Sequence, residues 1–271
     1  MKPWLLRFSL PLLWAVSGVS AQGAPAWAGE LTASAPGTFA PLTPVSLEYR
    51  LSWQGKMNAG HLKMDFSPPD EKKPGQYVVR SSAHSTGAAA ALFPYRHHFW
   101  SESDPKSLRP TFFQATEVDR KESSTTTVRF TGKKVTSHET TKKLKSGQIS
   151  TRDRTFDFAP VYDIFTAMLH VRSQPLAAGD SVCIVIQPFD QPYLLRAKSL
   201  GGESYDGKKA IKLSVTLQKI NRRTLALEPY KKLNGPATLW LSNDADRVPL
   251  GFSASVFIGQ VRAHLINRSK L

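Results

Sequence analysis

Seven histidines, one cysteine and 21 carboxylates are the side chains from which a catalytic or metal-binding centre would have to be built. His61, His84, His97, His98, His138, His170 and His264 show no HExxH spacing, no close pairing with cysteine and no carboxylate at zinc-like spacing, so no metal is expected. His97 and His98 are neighbours in a strand-like run, which points their rings to opposite faces and works against shared ligation. His170 falls within a helical pattern and reads as a surface or last-turn histidine. Cys183 sits in the apolar run Val182-Cys183-Ile184-Val185-Ile186, where a thiol without a base or an electropositive cleft is a buried structural group. There is no G-x-S-x-G elbow, Gly201-Gly202 is too short for a phosphate loop, and Asn243, Asp244 and Asp246 lack the glycine and twelfth-position acid of a calcium loop. The pattern points away from an enzyme and away from any cofactor. What remains is aromatic and apolar: Trp53, Phe93, Trp100, Phe112, Phe165, Met168 and Trp240 are core candidates that could instead line a ligand cavity.

Such residues need a scaffold, and the dominant period along the chain is two. Val45, Leu47, Tyr49, Leu51 and Trp53 alternate with Ser46, Glu48, Arg50 and Ser52, and Leu62, Met64 and Phe66 alternate with His61, Lys63 and Asp65, which predicts a hairpin with one buried face. Further strands are predicted at 77–83, 96–103, 111–119, 125–131, 134–140, 148–157, 181–187, 193–200, 209–219, 223–228, 237–242, 248–257 and 260–267. Turn dipeptides such as Ser146-Gly147, Asp206-Gly207 and Asn234-Gly235 separate them at meander spacing. No 20- to 50-residue repeat is present, which argues against a propeller or solenoid.

One segment departs from this period. In 160–173, Val161, Ile164, Phe165, Met168 and Leu169 recur at helical spacing behind Pro160, with Asp163 and Arg172 matched to the two ends of the dipole. A shorter apolar stretch, Ala88 to Phe93, predicts another turn ended by Pro94. The expected fold is mainly β: a curved antiparallel sheet, or a partly open barrel or sandwich, with one central helix on its concave face and a single domain over residues 45–268.

Residues 1–21 read as a signal peptide. Lys2 and Arg7 precede a short apolar run, and Val19-Ser20-Ala21 offers small residues for cleavage, so the mature chain is expected in the periplasm. No cysteine near that site could carry a lipid, and no later run is long enough for a transmembrane segment in the mature protein. Residues 22–44, rich in Ala, Pro, Gly and Thr, read as a flexible leader. Loss of Lys2 and Arg7 lowers the formal charge only from +15 to +13. In an exported protein that charge points to an anionic envelope component; nucleic acid is not an expected partner. Pairs such as Lys72-Lys73, Lys142-Lys143 and Arg222-Arg223 suit solvated turns and protected sheet edges.

Several stretches carry a resemblance. Ser103-Asp104 with Leu108 to Thr111, Tyr162-Asp163 with Leu169 to Arg172 and Pro175 to Gly179, and Leu239 to Asp244 followed by Arg247-Val248-Pro249 and Ile258-Gly259 resemble, in order and spacing, the exported bacterial family filed as domain of unknown function 3108. The resemblance spans roughly residues 45–268; Asn243 stands where an acid is usual in that family. It implies a periplasmic, antiparallel β protein whose sheet-plus-helix form is similar to the LolA/LolB lipoprotein-carrier architecture. The expected function is non-enzymatic binding or carriage of a lipid, acyl chain or lipoprotein in an apolar cavity. The alternative is a cell-envelope assembly factor that uses a basic surface to contact a polyanion or a protein. A second small-residue site is Ala26-Trp27-Ala28, so N-terminal sequencing of protein from the periplasmic fraction should begin near Gln22 or within several residues of it; an intact Met1 terminus in the membrane fraction would show that the segment is retained as an anchor.

Overall fold

The computed structural model describes residues 24–33, 35–67, 75–256 and 259–271. The expected signal peptide, residues 1–21, lies outside the described residues.

Period-two patterning becomes two meanders. The first runs through β1 (Val45–Trp53), β2 (Met57–Phe66), β3 (Tyr77–Ser85), β4 (Tyr95–Ser103), β5 (Pro110–Asp119), β6 (Glu122–Phe130), β7 (Val135–Lys143) and β8 (Ile149–Phe156). The second runs through β9 (Ser181–Ile186), β10 (Tyr193–Tyr205), β11 (Lys208–Ile220), β13 (Ala237–Ser242), β14 (Pro249–Val256) and β15 (Gly259–Lys270), with the short β12 (Leu227–Pro229) beside β11. β1 pairs with β15, setting Tyr49 opposite Leu265 and Leu51 opposite Ala263. The described strands therefore form one antiparallel sheet of 15 strands in which the first and last strands meet mid-sheet, leaving β8 and β9 at the two edges.

Strand 223–228 of the sequence reading shrinks to β12. The Asn221 side chain accepts hydrogen bonds from the backbone N–H groups of Arg223 and Thr224 at 3.0 and 3.1 Å, folding those residues into an Asx turn.

Because β8 and β9 are consecutive in the chain, the segment joining them has to pass between the two edges, and it carries α2 (Ile164–Ser173). The helix starts four residues later than predicted. Tyr162 first makes a parallel bridge with Ile186, and Asp163 is the N-cap, its carboxylate accepting from the N–H groups of Phe165 (2.7 Å) and Thr166 (3.1 Å). A second acceptor oxygen of Asp163 takes the Ser101 hydroxyl of β4 at 2.8 Å, which ties the helix start to the first meander.

The sequence reading gave α2 one apolar face; it has two. Phe165 and Leu169 join the core built from Leu47, Phe66, Phe113 and Val128, whereas Ala167 and Val171, on the opposite side of the helix, join Ile184, Leu213 and Leu241. The polar residues of the helix, Thr166, His170, Arg172 and Ser173, are buried as well, as enclosure by a curled sheet requires.

Where it is described, the leader packs on the domain. Val182, Ile184 and Ile186 point to α2, so Cys183 and Val185 emerge on the other face of edge strand β9, and the leader covers them. Thr32 donates its N–H to the Cys183 carbonyl (2.8 Å) and accepts the Cys183 N–H on its hydroxyl (2.9 Å). The Trp27 indole packs 5.1 Å from Phe158 and donates to the Leu225 carbonyl at 2.7 Å, while Glu30 pairs with Arg196 at 2.8 Å. Gly37 crosses the end of α2 so closely that a Cβ there would lie 2.0 Å from the Ser173 carbonyl oxygen.

The same end is closed by two arginines. Arg172 donates to the Ala40 and Asp246 carbonyls, and Arg247 donates to those of Arg172 and Gln174 while stacking 3.4 Å over the Phe39 ring. Arg247 thus turns inward, and its neighbour Asp246 pairs with Arg268. Truncating Phe165 to Ala should lower unfolding free energy by ~3–5 kcal/mol in urea titrations. A loss below ~1 kcal/mol would show that α2 is not held between the two meanders.

Candidate functional site

The two halves of the curled sheet do not close fully on α2. Between them lies an apolar cavity of about 330 Å³. Its helix wall is Ile164, Phe165 and Met168; Tyr49, Leu62 and Met64 come from the first meander, and Leu195, Leu239, Phe252 and Ala263 from the second. Strand parity explains the set. Tyr49 has Leu62 opposite on β2, and Ala263 has Leu51 and Phe252 opposite, so one inward row crosses the β1–β15 seam.

No side chain lining this cavity carries a charge. The one hydroxyl, that of Tyr49, is occupied by the Pro249 carbonyl at 2.8 Å, and burial raises its pKa well above the usual phenol range. Phe252 lines the cavity yet remains exposed, which places the mouth beside it.

Of the seven residues nominated from sequence, Phe165 and Met168 line this space. Trp53 is on the inward face but nearer the open end, where it meets Phe93 edge-on at 6.1 Å, and Phe93 is 47% exposed. The other three point outward. Trp100 lies under Arg80 (4.5 Å) and donates to Glu102; Phe112 lies under Arg129 (5.3 Å); Trp240 stacks on Tyr205 (4.6 Å) and donates to Glu203.

Each outward aromatic has an inward neighbour that does the core packing: Phe99, Phe113 and Leu241. The signal was present in the alternation. Phe112 shares its parity with Gln114 and Thr116, Trp100 with Arg96 and His98, and Trp240 with Thr238 and Ser242. Parity, not size, decides which aromatics face inward. The same rule would have nominated Tyr49, Leu62, Leu239 and Ala263.

His170 stands in the last turn of α2, one of its two expected places, but is fully buried and not on the helix surface. Its Nδ1 lies 3.4 Å from the Tyr162 hydroxyl and its Nε2 3.4 Å from the Gln174 amide, and Arg109 sits 4.9 Å over the Tyr162 ring. Burial, reinforced by the Arg109 charge, pushes its pKa down to about 4. His97, stacked 3.9 Å on Phe99 and 3.1 Å from the Ser81 hydroxyl, is also held down to about 4, by burial and then by His98. Burial raises the Asp163 carboxyl, against opposing hydrogen bonds from Thr166, Ser101 and Phe165. Cys183 is buried and its thiol is raised, again by burial first.

Asp244, weighed as a calcium ligand, instead accepts from the Ser242 hydroxyl and from the N–H groups of Asp246 and Arg247, the bonding of a hairpin turn. Among the described residues, no group of three or more His, Cys, Asp or Glu side chains is placed to hold a metal ion. A second, polar cleft of about 540 Å³ lies on the outer face between Arg50, Lys56, Arg262 and His264. There His264 bridges the Tyr205 hydroxyl and the Asp206 carboxylate, each at 3.2 Å.

The geometry defines a β-barrel-like protein: a single curled sheet wrapped on one helix, with an apolar cavity between them. The chain belongs to the family described as "Protein of unknown function (DUF3108)", which matches residues 48–266. Among solved structures it is similar to a β-barrel-like protein of domain of unknown function DUF1849 from Brucella abortus, with a TM-score of 0.54 at 10% identity over 86% of this chain and 99% of that one. At that identity the likeness concerns the fold. No curated protein matches the chain. No helix among the described residues is long and apolar enough to cross a membrane.

The buried histidines give a pH dependence of defined sign. Above about 6.5 an unfolded histidine is mostly neutral, as the folded one is; between 6.5 and about 4 the unfolded chain takes up a proton that folded His170 and His97 refuse. Stability should therefore fall as pH is lowered through that window, and His170→Gln should flatten the fall. Urea unfolding of both proteins across the window checks this, and equal slopes for variant and wild type would contradict it.

Proposed function

We propose that this chain is an exported, non-enzymatic binding protein that holds an acyl chain, from a fatty acid, a phospholipid or a lipoprotein, in the cavity beside α2. The observation carrying the reading is the cavity itself: about 330 Å³, walled by uncharged side chains and open beside an exposed phenylalanine. That volume is at the small end of ligand sites, which span ~300–1,000 Å³. It suits one flexible chain better than a rigid polycycle. Each methylene transferred there contributes ~0.8 kcal/mol, without any polar partner in the wall.

The distribution of charge supports a division of labour. The cavity holds the tail, while the basic surface, with Lys56 and Arg262 near the Trp53 end of β1, raises the encounter rate with an anionic head group. Salt should slow association and leave residence time largely unchanged. An envelope assembly factor acting only through its basic surface would behave in the opposite way, losing all binding at high salt.

A fluorescent fatty acid titrated at low and high ionic strength separates these readings. Wild type should bind in the micromolar range, and Met168→Trp, which fills the cavity, should weaken binding by about tenfold or more. Failure of wild type to bind any acyl ligand at tens of micromolar would remove the proposal, as would unchanged binding by the filled variant.

A further inference from the structure

At the end of the first meander where β1 finishes, away from the Ser101 end at which α2 begins, apolar and basic side chains project together into solvent. The helix α1 (Gly87–Leu92) follows β3 and leaves Leu92 56% exposed, with Phe93 beside it. The β7–β8 turn projects Leu144 and Ile149, the latter 62% exposed, at the tip of a hairpin whose last strand is exposed along nearly its whole length.

These tips are neighbours. The Arg120 side chain in the β5–β6 turn donates to the Ala91 carbonyl of α1, and the Leu144 N–H donates to the Lys121 carbonyl at 2.8 Å. Phe93 in turn meets Trp53 at the end of β1. A continuous rim therefore runs from β1 through α1 and the β5–β6 turn to the β7–β8 tip.

Cations are interleaved with the apolar tips: Arg120 and Lys121 in one turn, and Lys142, Lys143 and Lys145 around Leu144 in the other. The acids of these turns are Asp119 and Glu122. The Asp119 carboxylate is held by the N–H groups of Lys121 and Glu122 at 2.7 and 2.8 Å. The rim is thus strongly positive around exposed leucine, isoleucine and phenylalanine.

We propose that this rim docks on an anionic phospholipid surface, with Leu92, Phe93, Leu144 and Ile149 entering the headgroup layer and the lysines and arginines facing lipid phosphates. Charge complementarity selects this occupant, and so does shape. The apolar side chains stand on separate projecting tips instead of forming one flat patch, and a bilayer interface accepts discrete anchors among diffuse negative charge without a shaped counter-surface. The inference goes beyond the cavity reading and does not depend on it.

The test is co-sedimentation of the mature protein with phosphatidylcholine vesicles, with and without phosphatidylglycerol. Binding is expected to the anionic vesicles and to be weak on neutral ones. The pairs Leu144→Ser with Ile149→Ser, and Lys143→Glu with Lys145→Glu, should each weaken it by about tenfold. All four positions are exposed, so both variants should keep the wild-type circular dichroism and the wild-type affinity for the fluorescent fatty acid. Absence of sedimentation with anionic vesicles would overturn the proposal. So would unchanged vesicle binding by the serine pair together with full competition by soluble polyphosphate, which would mark a general polyanion surface. Vesicle binding by a protein that takes up no fatty acid would sustain this proposal and remove the cavity reading alone.

Discussion

The Asp163 carboxylate is the point on which the interior is hung. One of its oxygens starts α2 by accepting the N–H groups of Phe165 and Thr166, and the other accepts the Ser101 hydroxyl from β4. A buried acid is costly unless its acceptors are filled, and here they are filled by partners that fix both where the helix begins and which strand it begins beside. From that anchor Ile164, Phe165 and Met168 fall where the two meanders gap, and the cavity follows. The C-terminal end of α2 is fixed by Arg172 and Arg247, which donate to carbonyls of the leader, the helix end and the β13–β14 hairpin.

The topology gives the helix its place. Pairing β1 with β15 makes the chain termini the middle of the sheet and the middle of the chain its two edges. The segment between β8 and β9 then has to cross the concave side. Edge-to-edge contact is limited to features such as Arg152 of β8, which reaches Asp190 beyond β9 at 3.4 Å, so the barrel remains incompletely closed. Gaps of this kind leave room beside a helix whose side chains are already matched to two cores.

Much of the architecture was legible in the chain because alternation is a direct consequence of strand geometry. The span of β1 agrees residue for residue with the period of Val45 to Trp53, and most later strands lie within a few residues of their predicted bounds. The misses share a cause: a second face was not weighed. Phe112, Trp100 and Trp240 were chosen for size although their parity partners are polar. The contacts of the leader are not legible in its sequence, because its composition is poor in periodic apolar residues. Yet the unbroken run Val182 to Ile186 requires cover on both faces, and Trp27 and Thr32 are part of that cover. His170 keeps its expected place in the last turn but not on a surface, since a helix enclosed on all sides has no surface histidine.

The claim on which the rest turns is that the space beside α2 accommodates an acyl chain. Native mass spectrometry of the protein purified from the cells that make it, set beside Met168→Trp prepared identically, tests it without any choice of probe. An additional mass in the lipid range, released on gentle activation and absent from the variant, is the expected result. Bare polypeptide in every wild-type preparation, or an adduct retained by the filled variant, would contradict it.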